Sequence, residues 1–255
     1  MKINVVLSPA NVDELYFSGK TTVVVDVLRA TTTIITALMN GAKEIVPVGS
    51  VEFAMKASSN MFGGQTLICG ERNAKKIDGF NLGNSPLEFA TEVIGGKSLV
   101  FFTTNGTKAI VKAKYSDEVI IASFLNLSAV AKYLAELNKP FEILCAGRNS
   151  SFCLEDTVFA GKLISEITSL SQDVELSDSG LASVSIAKTF GKNLKKMFSE
   201  SEHGKFLIEN GFEEDLKYCA KLNITDDIPM YATNIIKILH QQNSERQVSG
   251  LSTIS

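Results

Sequence analysis

The sequence has no membrane-length apolar run, since none approaches the roughly 20 residues that a spanning helix needs. It passes from Met1-Lys2 directly into a short alternating apolar segment, so we expect neither a secretion signal nor a membrane partner. Basic residues are not in excess either. The formal net charge of -3 and the pI near 5.6 provide no broad positive field, so we do not expect a nucleic-acid partner.

Paired cysteines are also absent. Cys69, Cys145, Cys153 and Cys219 are widely scattered without C-x-x-C spacing, and a chain of 255 residues can bury a large core without disulfides. We therefore expect reduced thiols and a cytoplasmic protein. No linker, repeat or low-complexity tract divides the chain, so residues 1–255 are predicted to form a single domain. The oligomeric state stays open, a homo-oligomer included.

Short apolar runs of strand length recur through the first part of the chain. They cover residues 3–7, 22–25, 44–48, 66–69, 98–102, 118–121 and 141–145. Segments with helical spacing separate many of them, and the clearest is the segment 127–137, where apolar residues repeat at three and four positions. The alternation predicts an α/β fold with a mainly parallel sheet flanked by helices.

The pattern beyond Asp156 is mostly helical. Apolar residues recur on one helical face from Val158 to Ile167, and further helices are predicted near 181–198, 205–220 and 231–241. Because no linker precedes this helix-rich part, we expect it to pack on the same core. The tail after Gln242 is polar and serine-rich, so we expect it to fray.

Polar side chains follow four of the predicted strands. In chain order they are Asp26 and Arg29, Glu71 and Arg72, the segment Thr103-Thr104-Asn105-Gly106-Thr107, and Arg148. Ligands of parallel sheets bind outside the carboxyl ends of the strands, so we predict one site at a shared edge. Arginine forks match tetrahedral oxyanions, and carboxylates bind hard cations such as magnesium. The alternative is that Asp26-Arg29 and Glu71-Arg72 are internal ion pairs.

Three further segments can each be interpreted in two ways, as part of the site or as ordinary structure. The segment 103–107 offers hydroxyls and backbone N–H groups to an oxyanion, or is an Asn-Gly turn with a threonine cap. The long loop 71–86, which contains Asn84 and Ser85, covers the site or is a solvated excursion. The pair Glu155-Asp156 binds metal or acts as a base, or it interacts with a helix dipole.

The cysteine and histidine side chains are not expected to belong to the predicted site. Cys145 and Arg148 lack the longer cysteine-to-arginine loop of cysteine phosphatases, which predicts a buried thiol at Cys145. His203 and His240 fall in the helical part of the chain, away from the strand ends. We expect both histidines at the surface.

Five motifs together resemble the 2-phosphosulfolactate phosphatase family. They are Val-Val-Asp-Val-Leu-Arg-Ala-Thr-Thr-Thr (24–33), Gly-Glu-Arg (70–72), Gly-Phe-Asn-Leu-Gly-Asn-Ser-Pro (79–86), Thr-Thr-Asn-Gly-Thr (103–107) and Cys-Ala-Gly-Arg (145–148). The resemblance implies magnesium-dependent hydrolysis of 2-phospho-3-sulfolactate to 3-sulfolactate and phosphate, as in coenzyme M biosynthesis. The substrate carries phosphate, sulfonate and carboxylate groups.

Physical roles can be assigned to the motif residues on this basis. Asp26, Glu71 and Asp156 are predicted to hold Mg²⁺. Arg72 and Arg148 are predicted to bind the phosphoryl oxygens, and the remaining anions are assigned to Arg29, Asn84, Ser85 and the segment Thr103, Thr104, Asn105, Gly106 and Thr107. A phosphatase for another phosphorylated hydroxy acid, or a binding protein for an anionic metabolite, stays open.

Asp26 also resembles the nucleophile of aspartyl-phosphate phosphatases, because it follows three valines. Those enzymes usually carry a second aspartate two residues later as acid and base, where this chain has Leu28. We therefore interpret Asp26 as a metal ligand and expect direct attack by water.

Overall fold

The computed structural model describes residues 1–60 and 66–238. The strands are β1 Lys2–Val6, β2 Thr21–Val25, β3 Glu44–Pro47, β4 Thr66–Arg72, β5 Lys75–Lys76, β6 Ser98–Phe102, β7 Glu118–Ala122, β8 Phe141–Cys145, β9 Glu175–Leu176, β10 Pro229–Ala232 and β11 Ile235–Ile238. The helices are α1 Ala30–Met39, α2 Val51–Asn60, α3 Thr91–Ile94, α4 Gly106–Lys112, α5 Leu127–Leu137, α6 Leu154–Leu170, α7 Asp178–Phe190, α8 Leu194–Glu200, α9 Glu202–Glu209 and α10 Glu213–Cys219. The predicted α/β class is confirmed, and the seven predicted strands form within a few residues of their expected ends.

The sheet consists of two parallel segments. One contains β4, β6 and β3, with β5 added antiparallel at its edge, and the other contains β7, β2, β8, β1 and β9. Strands β2, β6 and β8 are buried along their whole length, as their almost continuous apolar sequences require. The sheet is therefore mainly parallel, as predicted.

An antiparallel hairpin, β10 and β11, lies between the two parallel segments. The prediction of a helix near 231–241 is wrong for residues 231–238, and residues 239–241 lie outside the described part of the chain. Thr233 and Asn234 have φ angles of 50° and 65°, as a two-residue hairpin turn requires. The β-branched residues that follow favour the strand, and Ile236 is fully buried between its neighbours.

The hairpin also changes how the strand ends are arranged. Strand β3 is antiparallel to β11, β11 to β10, and β10 to β7, so the two parallel segments run in opposite directions. The prediction of one shared parallel edge is therefore wrong. The segments share a buried apolar cluster with α1 and α4, which includes Val24, Ile34, Ile45, Phe101 and Ile110.

The C-terminal helices pack on the opposite face of the second segment. Met197, Phe198, Leu207 and Leu216 join a cluster that contains residues of β1, β2, β7 and β8, so the prediction of packing on the same core is confirmed. The two long helices predicted at 181–198 and 205–220 are each divided, and Gly211 separates α9 from α10 with a φ of 85°. The polar tail after Gln242 lies outside the described residues. No described helix is both long enough and apolar enough to span a membrane.

Candidate active site

A small cavity of about 60 Å³ lies where the ends of β2, β4, β6 and β8 meet helix α9. Its walls are formed by Asp26, Leu28, Arg29, Glu71, Asn73, Ala74, Asn84, Thr103, Thr104, Asn105, Arg148, Asn149, His203, Phe206 and Leu207. The cavity thus collects side chains from both parallel segments of the sheet. It contains most of the residues that the motifs single out, together with residues of the C-terminal helices.

Asp26 follows β2 and lies in the wall of the cavity with 7% of its surface exposed. Its Oδ1 accepts a hydrogen bond from the Ala30 amide at 3.3 Å, and Oδ2 accepts none from the described residues. Gly106 lies directly against it: a Cβ atom at that position would be 2.5 Å from Asp26 Oδ2 and 2.4 Å from the Ala30 Cβ. Only glycine permits this approach of α4 to α1.

Asp156, a predicted metal ligand, is buried behind the cavity wall. Its Oδ1 accepts from the Val27 amide at 2.9 Å, and its Oδ2 accepts from the Gly147 amide at 3.1 Å. The carboxylate therefore ties the turn after β2 to the turn after β8. This arrangement explains the acidic residue in the first turn of α6 without a metal.

Glu71, a second predicted ligand, lines the cavity but is similarly engaged. Its Oε2 accepts from the Ala74 amide at 2.9 Å, and its Oε1 accepts from the Thr104 amide at 2.8 Å. Across residues 1–60 and 66–238 there is no group of three or more histidine, cysteine, aspartate or glutamate side chains placed to hold a metal ion. The three carboxylates do not form a preassembled metal cage.

The buried carboxylates repel one another. Burial raises the pKa of Asp26, the Asp156 carboxylate raises it further, and His203 opposes both effects. Burial and the neighbouring Glu155 also raise the pKa of Asp156, although the Val27 and Gly147 amides act in the other direction. Negative charge at the cavity is therefore costly, and a cation near Asp26 would be stabilised there.

Arg29 and Ser85, two predicted anion ligands, both bind Asp215 of α10. The Arg29 Nη1 lies 2.7 Å from Asp215 Oδ2, and the Ser85 hydroxyl donates to Asp215 Oδ1 at 2.6 Å. Arg29 also lies over the Phe212 ring and donates to the Ala74 carbonyl. Arg29 thus forms a buried ion pair with Asp215, and the alternative of an ion pair between Asp26 and Arg29 is wrong.

The two arginines predicted to bind phosphate are in different places. Arg148 lines the cavity, stacks over the Phe206 ring at 4.7 Å, and lies 3.3 Å from the largely exposed Glu202 carboxylate. Arg72 is exposed and absent from the cavity wall, because neighbouring residues of a strand point to opposite faces and Glu71 points inward. Of these two arginines, Arg148 lies in the wall of the cavity and Arg72 does not.

The segment 103–107 is partly occupied by its own hydrogen bonds. The Thr107 hydroxyl accepts from the Thr103 amide, and the Thr103 hydroxyl accepts from the Thr107 amide in the first turn of α4. The N-cap residue of α4 is Asn105, whose side chain makes no cap hydrogen bond, so the predicted cap by threonine at the helix start is replaced by this reciprocal pair. Thr103, Thr104 and Asn105 line the cavity, whereas Gly106 and Thr107 lie behind it. The Asn105 Oδ1 accepts from the Asn149 amide and joins this segment to the turn after β8.

Unsatisfied polar atoms are concentrated around the cavity. Four buried side-chain atoms of the described residues have no hydrogen-bond partner, and three of them are Asn84 Oδ1, Thr104 Oγ1 and Glu155 Oε2. Asn84 and Thr104 line the cavity, and Glu155 lines an adjoining cavity of about 440 Å³. Buried polar groups in native proteins normally have partners, so these atoms indicate a polar ligand. The ends of the loop 71–86 thus contribute to the site, while its residues 75–79 are largely exposed.

The expectation that His203 lies at the surface, away from the strand ends, is wrong. Helix α9 carries it into the cavity wall, where its Nδ1 lies 3.0 Å from the Glu155 Oε1 and only 15% of the side chain is exposed. No local motif marks this residue, because its partner is 48 positions away. The position of His240 lies outside the described part of the chain.

The cysteines are placed as the sequence predicts. All four are buried and unpaired. Burial, reinforced by the carboxylates of Asp156 and Glu155, raises the pKa of Cys145 well above its ordinary value, so it is a thiol and not a nucleophilic thiolate.

The sequence is similar to a known protein family and to several curated proteins. A model of the family described as 2-phosphosulpholactate phosphatase matches residues 6–234. A protein of Caldanaerobacter subterraneus named "Probable 2-phosphosulfolactate phosphatase" is 42% identical over 218 residues, which cover 86% of this chain and 90% of that protein. Proteins of the same name from Clostridium perfringens and Thermotoga maritima are each 40% identical, over 93% and 91% of this chain and 96% of each relative.

The contact of Gly106 with Asp26 and Ala30 predicts a large difference between two glycine substitutions. Gly106→Ala should lower the free energy of unfolding by about 1–3 kcal/mol or more, because the added methyl group overlaps buried atoms. Gly49→Ala is the control, since a Cβ there meets nothing within 4 Å, and its effect should stay within about 0.5 kcal/mol. Urea unfolding monitored by circular dichroism measures both. Equal effects would contradict the close approach of α4.

The raised pKa of Asp26 predicts a pH-dependent gain in stability for Asp26→Asn. Because the folded-state pKa lies above the unfolded value, ionisation favours unfolding, and stability is lost as pH rises through the folded-state pKa. In the presence of a chelator, Asp26→Asn should therefore raise the melting temperature more at about pH 9 than at about pH 5. The exposed Asp13→Asn serves as the control for removal of one negative charge. A gain that is larger at the acidic pH would show that the carboxylate is not penalised by burial.

Proposed function

The chain belongs to the 2-phosphosulfolactate phosphatase family, and we propose that it hydrolyses 2-phospho-3-sulfolactate to 3-sulfolactate and phosphate. The observation that carries the proposal is the cavity itself, where Arg148 and the unpartnered Asn84 and Thr104 side chains converge beside Asp26. The Arg148 guanidinium and the Thr104 hydroxyl can donate to phosphate, sulfonate and carboxylate oxygens, whereas the unpartnered Asn84 Oδ1 is an acceptor that suits a donor group or a cation.

The adjoining cavities provide room for such a substrate. The cavity beside Asp26 is below the range of roughly 300–1,000 Å³ of small-molecule sites, but Arg148, Asn149 and His203 also line the larger cavity of about 440 Å³. Asn105 and Asn149 border a further cavity of about 230 Å³, which Lys108 also lines. The phosphoryl group would occupy the small cavity, and the sulfonate and carboxylate would extend toward the larger ones.

We also propose magnesium as the cofactor, held by Asp26 together with the substrate. Magnesium usually keeps several waters and binds through one or two carboxylates plus substrate phosphates, so it does not need a three-carboxylate cage. The Oδ2 of Asp26 has no donor among the described residues and suits this role. When bound, the ion would neutralise charge on the phosphoryl group. Glu71 and Asp156 are assigned a different function, since backbone amides engage all four of their oxygens.

The charge of the cavity also favours a cation. Among its walls Asp26 and Glu71 are acidic, and the charge of Arg29 is paired with Asp215. Arg148 is the other arginine of the cavity wall, and its carboxylate partner, Glu202, is almost fully exposed, so a ligand can compete for the guanidinium. A substrate with three anionic groups needs more positive charge than one arginine supplies. Arg148 would bind the phosphoryl oxygens, and Thr104 and Asn84 would orient the substrate for attack by water in line with the leaving group.

Phosphate release from a panel of monoesters tests the proposed function. We expect the full-length protein with magnesium to prefer 2-phospho-3-sulfolactate over 2-phospholactate and 4-nitrophenyl phosphate, and a chelator to slow it at least about 100-fold. A preference for another phosphorylated hydroxy acid would contradict the proposed substrate but would agree with a phosphatase activity. Binding of the sulfonate without phosphate release would indicate a binding protein. Full activity with the chelator would exclude the magnesium proposal.

The placement of the two motif arginines predicts unequal effects of the same substitution. Arg148→Lys keeps the charge but loses the planar fork, so kcat/KM should fall about 100-fold. Arg72→Lys is the matched control, because Arg72 lies outside the cavity, and its effect should be about twofold or less. Steady-state kinetics of both variants measures the difference. Comparable losses would show that Arg72 also reaches the phosphoryl group.

A further inference from the structure

The Glu155–His203 pair is a feature of the cavity that the motifs do not contain. Glu155 is 1% exposed, and its Oε1 lies 3.0 Å from the His203 Nδ1. Its second oxygen, Oε2, has no partner among the described residues. A carboxylate that binds Nδ1 fixes the tautomer and the orientation of an imidazole.

The second ring nitrogen of His203 is available to a ligand. Nε2 makes no hydrogen bond with any described residue, and the ring lines both the cavity beside Asp26 and the larger adjoining cavity. These two cavities are where the phosphoryl group and the rest of the substrate are placed above. His203 lines both cavities, so a substrate placed in this way would have the bond that hydrolysis breaks next to the imidazole ring.

The proposed reaction needs a proton donor at this bond. The leaving group of an aliphatic phosphomonoester is an alkoxide, which is a poor leaving group unless a proton reaches its oxygen. Arginine does not give up a proton in proteins, so Arg29 and Arg148 cannot supply it. Both carboxylate oxygens of Glu71 accept backbone hydrogen bonds. Among the described residues of the wall, Asp26 and His203 remain as candidates.

We propose that His203 is the general acid of the reaction and that Glu155 is its positioning residue, an inference that rests on the proposed phosphatase function. As water attacks phosphorus, the bond from phosphorus to the substrate oxygen breaks, and its electron pair stays on that oxygen. The proton on Nε2 moves to the oxygen and forms the alcohol. The attacking water loses one proton to solvent, and His203 takes one proton back from solvent before the next turnover.

The dependence of the rate on the leaving group tests this role. His203→Asn retains an amide that can donate to Glu155 but lacks an acid at the Nε2 position. It should lower kcat/KM for the preferred aliphatic phosphomonoester about 100- to 10,000-fold. For 4-nitrophenyl phosphate, whose leaving group needs no proton, the loss should stay below about tenfold. Lys205→Ala, an exposed change on the same helix, is the matched control and should alter neither rate.

Glu155→Gln tests the positioning role in the same assay. The amide can still contact Nδ1 but does not stabilise the imidazolium charge, so we expect a smaller loss with the same preference for the activated ester. Melting temperatures of all variants separate this effect from unfolding, because a partly unfolded enzyme loses both activities in proportion.

The outcomes separate the inference from the function on which it rests. Equal losses on both esters in a folded His203→Asn enzyme would overturn the general-acid role while leaving the phosphatase intact. The same would follow if Asp26→Asn, and not His203→Asn, showed the selective loss on the aliphatic ester. A wild-type protein that releases phosphate from no monoester would overturn the proposed function and the inference together.

Discussion

The contact of Gly106 with Asp26 and Ala30 joins the two parallel segments of the sheet at the point where the cavity forms. Because the hairpin β10–β11 reverses the direction between the segments, the ends of β2 and β6 do not meet at one parallel edge. They meet because the helices that follow them, α1 and α4, are buried in one cluster with residues of both segments. A side chain at position 106 would push these helices apart. Asp26 would then move away from Thr104 and Glu71, with which it lines the cavity.

The sequence predicts the parts of the fold that depend on local pattern. The runs 98–102 and 141–145 are strands in which four of the five residues are apolar, with β-branched and aromatic residues among them, and the spacing in 127–137 is helical. The hairpin was missed because the apolar residues from Met230 to Ile238 also suit a helix, while the turn at Thr233-Asn234 is a weak signal without glycine. Its position between the two segments depends on tertiary packing, which periodicity does not contain.

The candidate site was predicted to a similar extent. The pattern of charged residues directly after predicted strands identifies Asp26, Glu71 and Arg148, and all three line the cavity. Whether a predicted carboxylate can bind a ligand depends on hydrogen bonds from backbone amides, which the motifs do not show. Both oxygens of Asp156 accept such bonds, whereas Asp26 keeps one oxygen, Oδ2, without a donor among the described residues. His203 could not be found from its neighbours in sequence, because the position of α9 depends on long-range packing. Leu207 is buried in the core cluster, and Phe206 packs against that cluster.

The position of His203 bears on the route of phosphoryl transfer. Leu28 occupies the place of the second aspartate of aspartyl-phosphate phosphatases, which by itself leaves a covalent route without a proton donor. A donor from α9 removes that objection, so the choice between the two routes depends on Asp26 itself. Its Oδ1 accepts from the Ala30 amide, and among the described residues nothing donates to Oδ2. If Oδ2 held the proposed magnesium ion, the other oxygen of this carboxylate would be the one bound to the Ala30 amide, and this arrangement favours water as the nucleophile.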